Sequence, residues 1–307
     1  MANNYPKDQM EILVADGMST DNTRAIASEY AKKYPFIHII DNPKQITPSA
    51  LNIGIKNARG EIIIRMDAHA TYKDDYITKS VTNLEKYQAD NIGGIWEIYP
   101  QKDTVIGRGI AKIMATYLGT GNAYYKIGIK KTKVVDTVPF GCYKKALFYE
   151  IGFFNENLVR SQDMEFNIRL KKAHKKIVIF PEIVGRYYVR STLKSFFMHN
   201  FKDGIWSIYP LKFVKISFKL RHYVPLIFII GLLTLAVLGI FSQFFMIFFL
   251  LTIALYATTL LAVSLIVSIQ EKDLLYMFSM PLAFMARHFG YGMGEITGAI
   301  KLFTSKN

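Results

Sequence analysis

This 307-residue chain has one cysteine and far fewer acidic than basic residues. The single cysteine, Cys142, excludes an intramolecular disulfide and a cysteine-based zinc site. Asp and Glu number 24 against 38 Lys and Arg, which gives a formal net charge of +14. Such an excess suits nucleic acid, an anionic lipid surface or a phosphorylated substrate. No base-stacking or groove-reading motif accompanies it, so nucleic acid is not an expected partner.

One long stretch lacks charge altogether, since residues 223–270 contain no Asp, Glu, Lys or Arg. The stretch is about twice as long as one membrane crossing requires, and we predict transmembrane helices at 223–241 and 244–268. Two buried core helices are the alternative for a soluble protein. Basic residues flank both ends, which predicts that both ends lie in the cytoplasm. They are Lys212, Lys215, Lys219 and Arg221 before the stretch and Lys272, Arg287, Lys301 and Lys306 after it.

Short apolar segments that end in a carboxylate mark the first part of the chain. The segment Glu11–Asp16 ends in Asp16, and the run Ile62–Ile64 leads to Asp67 and His69. Helical segments separate these runs at the spacing of βαβ units, which predicts a parallel sheet with Ile62–Ile64 as a buried parallel strand. Ligands of open α/β sheets bind at the carboxyl ends of the strands. The carboxylates therefore mark the expected binding edge.

Asp67 and His69 form a candidate metal site. Alternate residues of a strand share a face, so both side chains could reach one ion. Carboxylate oxygen and imidazole nitrogen both suit Mn²⁺, and carboxylate oxygen also suits Mg²⁺. The alternative is an aspartate that caps a turn beside a surface histidine.

A third carboxylate, Asp163, lies at the start of a helix predicted over 162–170. A helix dipole favours an ionised carboxylate at that position, as a general base requires. An ordinary helix N-cap is the alternative for Asp163. Glu165 is the rival base, and the two cannot both face one site because two helical positions differ by about 200°.

Together the motifs resemble family-2 glycosyltransferases, especially membrane-bound enzymes of the succinoglycan and capsule type. In chain order they are Glu11–Asp21, Asn52-x-Gly54, Ala58-x-Gly60, Asp67-x-His69, a loop with Gly119, Gly121 and Tyr125, and Gln162-Asp163 followed by Arg169. The resemblance implies a GT-A fold, which is α/β and Rossmann-like with a mainly parallel sheet. It also implies inverting transfer of a sugar from a nucleotide-sugar to a lipid-linked glycan in exopolysaccharide or capsule biosynthesis. The alternatives are a polyprenyl-phosphate glycosyltransferase and an inactive fragment or non-catalytic component of a polysaccharide assembly complex.

The resemblance also implies roles for particular residues. Asp16 would bind the nucleotide base, Asp67 and His69 would bind Mn²⁺ or Mg²⁺ and the donor diphosphate, and Asp163 would be the catalytic base. A UDP-sugar is the first expectation for the donor. Further candidates for the donor site are Arg169, Arg186, Arg190, His199 and Trp206. His199 stands where many family members have Gln.

Four segments are expected along the chain. They are a catalytic domain at 1–190, an amphipathic membrane-interface segment at 191–222, the transmembrane helices at 223–269 and a cytoplasmic or interfacial segment at 270–307. Family members begin with a further strand and helix, so the catalytic domain is expected to be incomplete at its N-terminus. We expect the protein at the cytoplasmic face of the bacterial inner membrane, with membrane lipids and other polysaccharide-assembly proteins as partners. Aromatic and basic residues of 191–222 would lie among lipid headgroups or, alternatively, pack on the catalytic domain.

Overall fold

The structure, a computed structural model, describes residues 3–214 and 220–304, apart from the side chains at 220 and 221. The sequence predictions for Lys215, Lys219, Arg221 and Lys306 therefore lie outside the described part. The chain divides into two compact units. The first comprises the chain up to Glu97 and the segment Gly128–Arg186; the second comprises Ile98–Ile127 and the chain from Tyr187 onward. The expected division of the chain into four functional segments stays a prediction.

Strands and helices alternate in the first unit. Its elements are β1 (Ile12–Asp16), α1 (Thr23–Lys33), β2 (Ile37–Asp41), α2 (Thr47–Asn57), β3 (Ile62–Ile64), β4 (Ala70–Tyr72), α3 (Tyr76–Lys86), β5 (Asn91–Pro100), β6 (Lys133–Val134), β7 (Cys142–Lys144), α7 (Ala146–Ile151), α8 (Gln162–Lys172) and β8 (Ile177–Val189). Strands β5 and β8 continue a few residues past the boundary of this unit. The second unit contains α4 (Val105–Met114), α5 (Tyr117–Thr120), α6 (Tyr124–Ile127), α9 (Leu193–Ile208), α10 (Val224–Phe241), α11 (Gln243–Glu271) and α12 (Tyr276–Thr304).

The strands of the first unit form two sheets. Strands β1 and β2 pair in parallel, with Asp16 opposite Asp41, as the βαβ spacing predicts. The larger sheet has the order β3-β7-β5-β8-β4, and β6 pairs with β8. Strand β3 pairs antiparallel with β7, so the prediction of a parallel Ile62–Ile64 strand was wrong. An apolar run signals that both faces of a strand are covered, whereas its direction is set by a partner far along the chain.

Pro181 lies inside β8, which runs without a break from Ile177 to Val189. Proline lacks an N–H and is tolerated where a strand needs no ladder bond on one edge. Pro181 lies between the part of β8 that pairs with β6, at Val178 and Ile179, and Val184, which accepts a hydrogen bond from the Lys73 N–H. The strand changes partner at the residue that cannot donate.

The core of the first unit packs α3 against the central strands. Its buried members include Leu84, Ile92, Cys142, Phe180 and Ile183. Burial raises the pKa of the Cys142 thiol well above its ordinary value, because the thiolate would lose its hydration. Cys142 is therefore a small residue of the core.

Helices α10 and α11 of the second unit are long and apolar enough to cross a membrane, close to the bounds predicted from the sequence. Only 6% of the most apolar window of each helix is buried. A soluble protein would bury such helices in its core, and exposing them to water would cost about 25 cal/mol for each Å² of apolar surface. They are therefore not the buried core helices that were the alternative.

Helix α12 was not predicted, although it is as long as α11 and packs along α9. Its sequence contains Pro281 and several glycines, which lower intrinsic helix propensity. The glycines allow a close approach: a Cβ on Gly294 would collide with the Phe201 carbonyl of α9. Contact with α9 thus outweighs the weak propensity. In the same region Phe196 is buried in the core of the second unit and does not face lipid headgroups, which corrects the interfacial interpretation for this residue.

Candidate functional site

Asp16 ends β1 and is buried, at 4% exposure. Its Oδ1 accepts a 2.6 Å hydrogen bond from the Ser19 hydroxyl, and its Oδ2 lies 3.0 Å from Nη1 of Arg24. The bond from Ser19 is the largest effect that lowers the pKa of Asp16, and Arg24 adds to it. Arg24 also donates to Asp41 at 2.6 Å. One guanidinium therefore joins the carboxylates that end the two parallel strands, and Asp16 is held as an ionised acceptor.

Asp67 follows β3, and its carboxylate is bound by a guanidinium two residues earlier. Nε of Arg65 lies 3.0 Å from Oδ1 and Nη2 lies 3.2 Å from Oδ2, a bidentate geometry that fixes the plane of the carboxylate. The Asp67 N–H donates to the Tyr72 hydroxyl oxygen at 2.7 Å, which ties the turn to β4. The Asp67 side chain keeps 20% of its exposure, so it borders solvent.

Arg65 also reaches toward Asp163, because its Nη1 lies 3.9 Å from Asp163 Oδ2. Burial alone lowers the pKa of Arg65, but the negative charges of Asp67 and Asp163 outweigh that effect and raise it above its ordinary value. The structure thus brings two of the predicted site carboxylates together around one cation. The sequence analysis did not single out Arg65. The sequence did offer one signal for Arg65: it directly follows β3, two residues before Asp67 and four before His69.

Asp163 lies in the first turn of α8, with 42% of its side chain exposed. Its Oδ1 accepts a 2.8 Å hydrogen bond from the Met164 N–H. Ser161, the N-cap residue of α8, has a left-handed backbone with φ of 63°. The carboxylate is therefore accessible, fixed at a helix N-terminus and close to Arg65. These are the properties that a general base for a hydroxyl group requires.

Glu165, the rival candidate for the base, forms an ion pair with Arg169 inside the protein. Its side chain is 4% exposed, and its Oε1 lies 2.7 Å from Nε of Arg169. The other nitrogens of Arg169 donate to main-chain carbonyls between α7 and α8, those of Ile151, Gly152 and Phe153. The bonds to these three carbonyls join α8 to the end of α7 and the residues that follow it. Arg169, a predicted phosphate ligand, thus has its donors occupied inside the protein, and the structure gives it a structural role.

His69 is exposed in the turn between β3 and β4. Strand β3 ends at Ile64, so the assumption that Asp67 and His69 alternate along one strand was wrong; the tight turn closes with the Ala70 N–H bonded to the Asp67 carbonyl at 3.2 Å. No cluster of three or more His, Cys, Asp and Glu side chains suited to a metal occurs in the part of the chain that the structure describes. Two protein ligands still fit Mn²⁺ or Mg²⁺, because such ions are commonly completed by water and substrate phosphates.

The remaining predicted site residues lie at other places. Arg186 is exposed in the first unit, and its Nε is 3.3 Å from Glu97. Arg190 is exposed just after β8 in the second unit. His199 and Trp206 lie on α9; Nε2 of His199 is 3.3 Å from Asp203, and Trp206 packs edge-on against Tyr209. Their roles toward the donor stay predictions.

Comparison with known proteins decides the family. Residues 1–152 match the family model described as Glycosyl transferase family 2. These residues form a family-2 glycosyltransferase domain. The fold agrees: the mannosyltransferase PcManGT from Pyrobaculum calidifontis, solved with GDP-Man and Mn²⁺, aligns with a TM-score of 0.56. The alignment covers 100% of this chain and 81% of that one at 16% identity, so it establishes the GT-A fold alone.

Two curated relatives of this family-2 glycosyltransferase are informative. A Methanococcus voltae protein is 29% identical over 303 residues, 97% of this chain and 89% of the relative. It is named dolichyl N-acetyl-alpha-D-glucosaminyl phosphate 3-beta-D-2,3-diacetamido-2,3-dideoxy-beta-D-glucuronosyltransferase. The succinoglycan biosynthesis protein ExoA of Rhizobium meliloti is 27% identical over 227 residues, 67% of each chain. The predicted family, fold class and enzyme class are confirmed.

Proposed function

We propose that this glycosyltransferase transfers a sugar, with inversion, from a nucleotide-sugar to an acceptor linked to a polyprenyl phosphate. The observation that carries the proposal is the Arg65-centred pair of carboxylates, Asp67 and Asp163, at the edge where family-2 enzymes bind their donor. The Methanococcus voltae relative, whose name gives a dolichyl-phosphate-linked acceptor, covers nearly the whole chain and supports the acceptor class. The relative named for succinoglycan biosynthesis supports a role in making a polysaccharide.

The residues would act as follows. A carboxylate oxygen of Asp163 accepts the proton of the acceptor hydroxyl as that oxygen attacks the anomeric carbon. The guanidinium of Arg65, with Nη1 3.9 Å from Asp163 Oδ2, supplies a positive charge beside that carboxylate. Asp16 accepts hydrogen bonds from the nucleotide base. Asp67 and His69 hold a divalent cation, which when bound neutralises the charge that develops on the departing nucleoside diphosphate.

In this proposal the two candidate membrane helices hold the protein at the cytoplasmic face of the cell membrane, the same surface that carries the acceptor's lipid. Both ends of the hairpin carry basic residues in the described part, Lys212 before α10 and Lys272 after α11. The positive-inside rule puts such ends on the cytoplasmic side. Nucleotide-sugars are made in that compartment, which agrees with the orientation. A bacterial inner membrane and a role in capsule synthesis remain part of this proposal.

The test is a donor panel with the detergent-purified protein, polyprenyl-phosphate-linked acceptors and Mn²⁺. We expect transfer from at least one nucleotide-sugar, and loss of that transfer when a chelator removes the cation. Transfer that persists in chelator would overturn the metal-binding role of Asp67 and His69 but leave the enzyme class intact. No hydrolysis or transfer with any donor would count against catalysis.

A second candidate is a synthase that moves the sugar directly onto a polyprenyl monophosphate. A relative from Trichomonas vaginalis named dolichyl-phosphate beta-glucosyltransferase ALG5C favours it, being 34% identical, although over only 28% of this chain. The product separates the two functions. A sugar attached to the phosphate itself identifies the synthase, whereas elongation of a phosphate-linked glycan identifies the first candidate.

A further inference from the structure

Arg287, in the middle of α12, joins three other elements of the second unit. Its Nε donates to the Gly119 carbonyl of α5, its Nη1 lies 2.7 Å from Asn200 Oδ1 on α9, and Nη1 also contacts the Met114 sulfur of α4. The hydrogen bonds that Arg287 makes to the described residues use Nε and Nη1, and its side chain as a whole is half-buried. These contacts fix the orientation of the guanidinium.

The positive charge of Arg287 lacks a paired anion. No carboxylate of the described residues lies within ion-pair distance of it, and its partners are a carbonyl, an amide and a thioether. Asp203 acts electrostatically on it from a longer range, as do the phenols of Tyr125 and Tyr291. Its neighbour His288 is kept neutral by burial, which lowers the pKa of that imidazole to about 4. A half-buried cation without a counter-ion has lost part of its hydration, so such a residue marks a place where an anion is expected.

The surroundings of Arg287 place it near the start of the first membrane helix. His288 lies 3.0 Å from the Tyr256 hydroxyl on α11. Phe228 of α10 contacts the rings of both Tyr256 and Phe289, at 4.9 Å and 6.2 Å between centroids. Phe228 is in the second turn of α10, whose apolar span begins at Val224. The turn that carries Arg287 thus packs beside the first turns of α10, the end of that candidate membrane span that is expected nearest to lipid phosphates.

The backbone of the segment 119–121, which contacts Arg287, is conformationally restricted. A Cβ on Gly119 would collide with the Ile113 carbonyl, so only glycine fits there. Gly119 N–H donates to the Thr116 side chain at 3.1 Å, and Gly121 has a left-handed φ of 58°. The Gly119 carbonyl is thereby fixed toward Arg287. This explains why small residues stand at Gly119 and Gly121, which the sequence motif alone did not.

We propose that Arg287, presented by Gly119 and Asn200, binds the phosphate of the lipid-linked acceptor. This inference rests on the proposed function and adds the residue that recognises the acceptor's charged group. Guanidinium groups, such as that of Arg287, bind phosphate oxygens through paired N–H donors. The bond positions the acceptor; it takes no part in moving the proton or the sugar.

Binding of lipid probes to the full-length protein in detergent tests the proposal, with native mass spectrometry as the readout. The probes are a polyprenyl monophosphate, the matching polyprenol, phosphatidate and a nucleoside diphosphate. We expect the wild type to prefer polyprenyl phosphate over polyprenol. Arg287→Gln should weaken that binding about tenfold or more, because it removes charge-assisted hydrogen bonds, and should leave polyprenol binding unchanged. Arg287→Lys should be intermediate, and Lys272→Asn, which removes an exposed charge from the same unit, should match the wild type.

The other probes separate the sources of phosphate. Equal retention of phosphatidate and polyprenyl phosphate would overturn recognition of the acceptor and indicate a general lipid-phosphate contact. Weakened nucleoside diphosphate binding in Arg287→Gln would also overturn it, in favour of a donor contact. Transfer activity with no preference of the wild type for polyprenyl phosphate would defeat this inference while the proposed function stands. Binding without any transferase activity would do the reverse.

A variant-free measurement guards against loss of folding in the Arg287 variants. A photoreactive polyprenyl phosphate is cross-linked to the wild type, and the modified peptides are mapped. Cross-links within 119–125, 196–204 or 284–291 support the proposal. Cross-links confined to other segments would contradict it.

Discussion

Arg65 holds Asp67 through two parallel contacts, of 3.0 Å to Oδ1 and 3.2 Å to Oδ2. The carboxylate proposed to bind a cation is therefore already neutralised by a residue of the same chain. Cation and guanidinium must compete for it, or Arg65 must turn toward the donor phosphates when the cation binds.

This competition predicts the behaviour of Arg65→Gln. Removing the guanidinium frees the Asp67 carboxylate and removes a repulsive charge, worth about 1–4 kcal/mol near 4 Å at effective dielectric constants from 80 to 20. Because the site borders solvent, we expect the lower part of that range, roughly a five- to tenfold tighter affinity for Mn²⁺ without donor. Titration of free Mn²⁺ by electron paramagnetic resonance measures it. Lys130→Gln, which removes an exposed charge from the same unit, is the control, and an unchanged or weaker affinity in Arg65→Gln would contradict the competition.

Asp163→Asn should separate chemistry from binding. If Asp163 is the base, the amide cannot accept the proton, and kcat should fall about 10²- to 10⁴-fold while the Kd for the donor changes little. Glu165→Gln is the matched control, because it should lower thermal stability through loss of the Arg169 ion pair and spare kcat in the folded enzyme. Steady-state kinetics, donor titration and thermal unfolding of both variants provide the comparison. Loss of donor binding in Asp163→Asn with an unchanged kcat would assign Asp163 to the donor.

The close contact between α12 and α9 predicts a large effect of one methyl group. In Gly294→Ala the new Cβ would meet the Phe201 carbonyl, which belongs to a helix backbone and cannot move aside cheaply. Overpacking of this kind costs about 1–3 kcal/mol or more, so the thermal midpoint should drop by several degrees. Gly231→Ala in α10 is the control, since nothing lies within 4 Å of its added Cβ. Equal midpoints for the two variants would show that the helices separate easily.

Burial of Glu295 on α12 gives the stability a pH dependence. The carboxyl group is fully buried, with the Ser207 hydroxyl 3.3 Å away, and burial raises its pKa to about 8. Because the unfolded chain has the lower pKa, about 4.3, the folded state binds the proton more tightly. This group's favourable contribution is complete at low pH and is lost as pH rises through about 8. Glu295→Gln, which stays uncharged, should therefore gain thermal midpoint relative to the wild type from pH 5 to 9. Parallel curves for the two proteins would refute it.

The sequence predicted those parts of the site that depend on local pattern. Asp16 at a strand end and Asp163 at a helix start follow from nearby apolar periodicity and capping. Arg65 could not be predicted as a site residue, because its contact with Asp163 forms only in the folded chain. The contact made by the motif residue Asn52 could not be predicted from local sequence either. Its amide bonds both main-chain groups of Phe154, at 2.9 Å each, so it anchors a loop far along the chain and need not touch substrate.

The fold was likewise predictable only where the signal was local. The uncharged stretch predicted α10 and α11 to within a few residues, because apolar length is a local property of the sequence. Strand direction at β3 and the existence of α12 were not predictable, because both depend on partners distant in sequence. In α12 the glycines that weaken the helix in isolation are the residues that let it approach α9.

The composition of the second unit from separated segments has a consequence for biosynthesis. Helix α4 and the Gly119 loop are made early, yet their contacts in this unit come from α9, α11 and the last helix, α12. Translation proceeds at about 5–20 residues per second. The apolar faces of these early segments therefore stay without their partner α12 for many seconds, because α12 is made after α10 and α11. The candidate membrane spans α10 and α11 therefore leave the ribosome before this unit can be completed. The nascent protein would be targeted to the membrane before this half of it has folded.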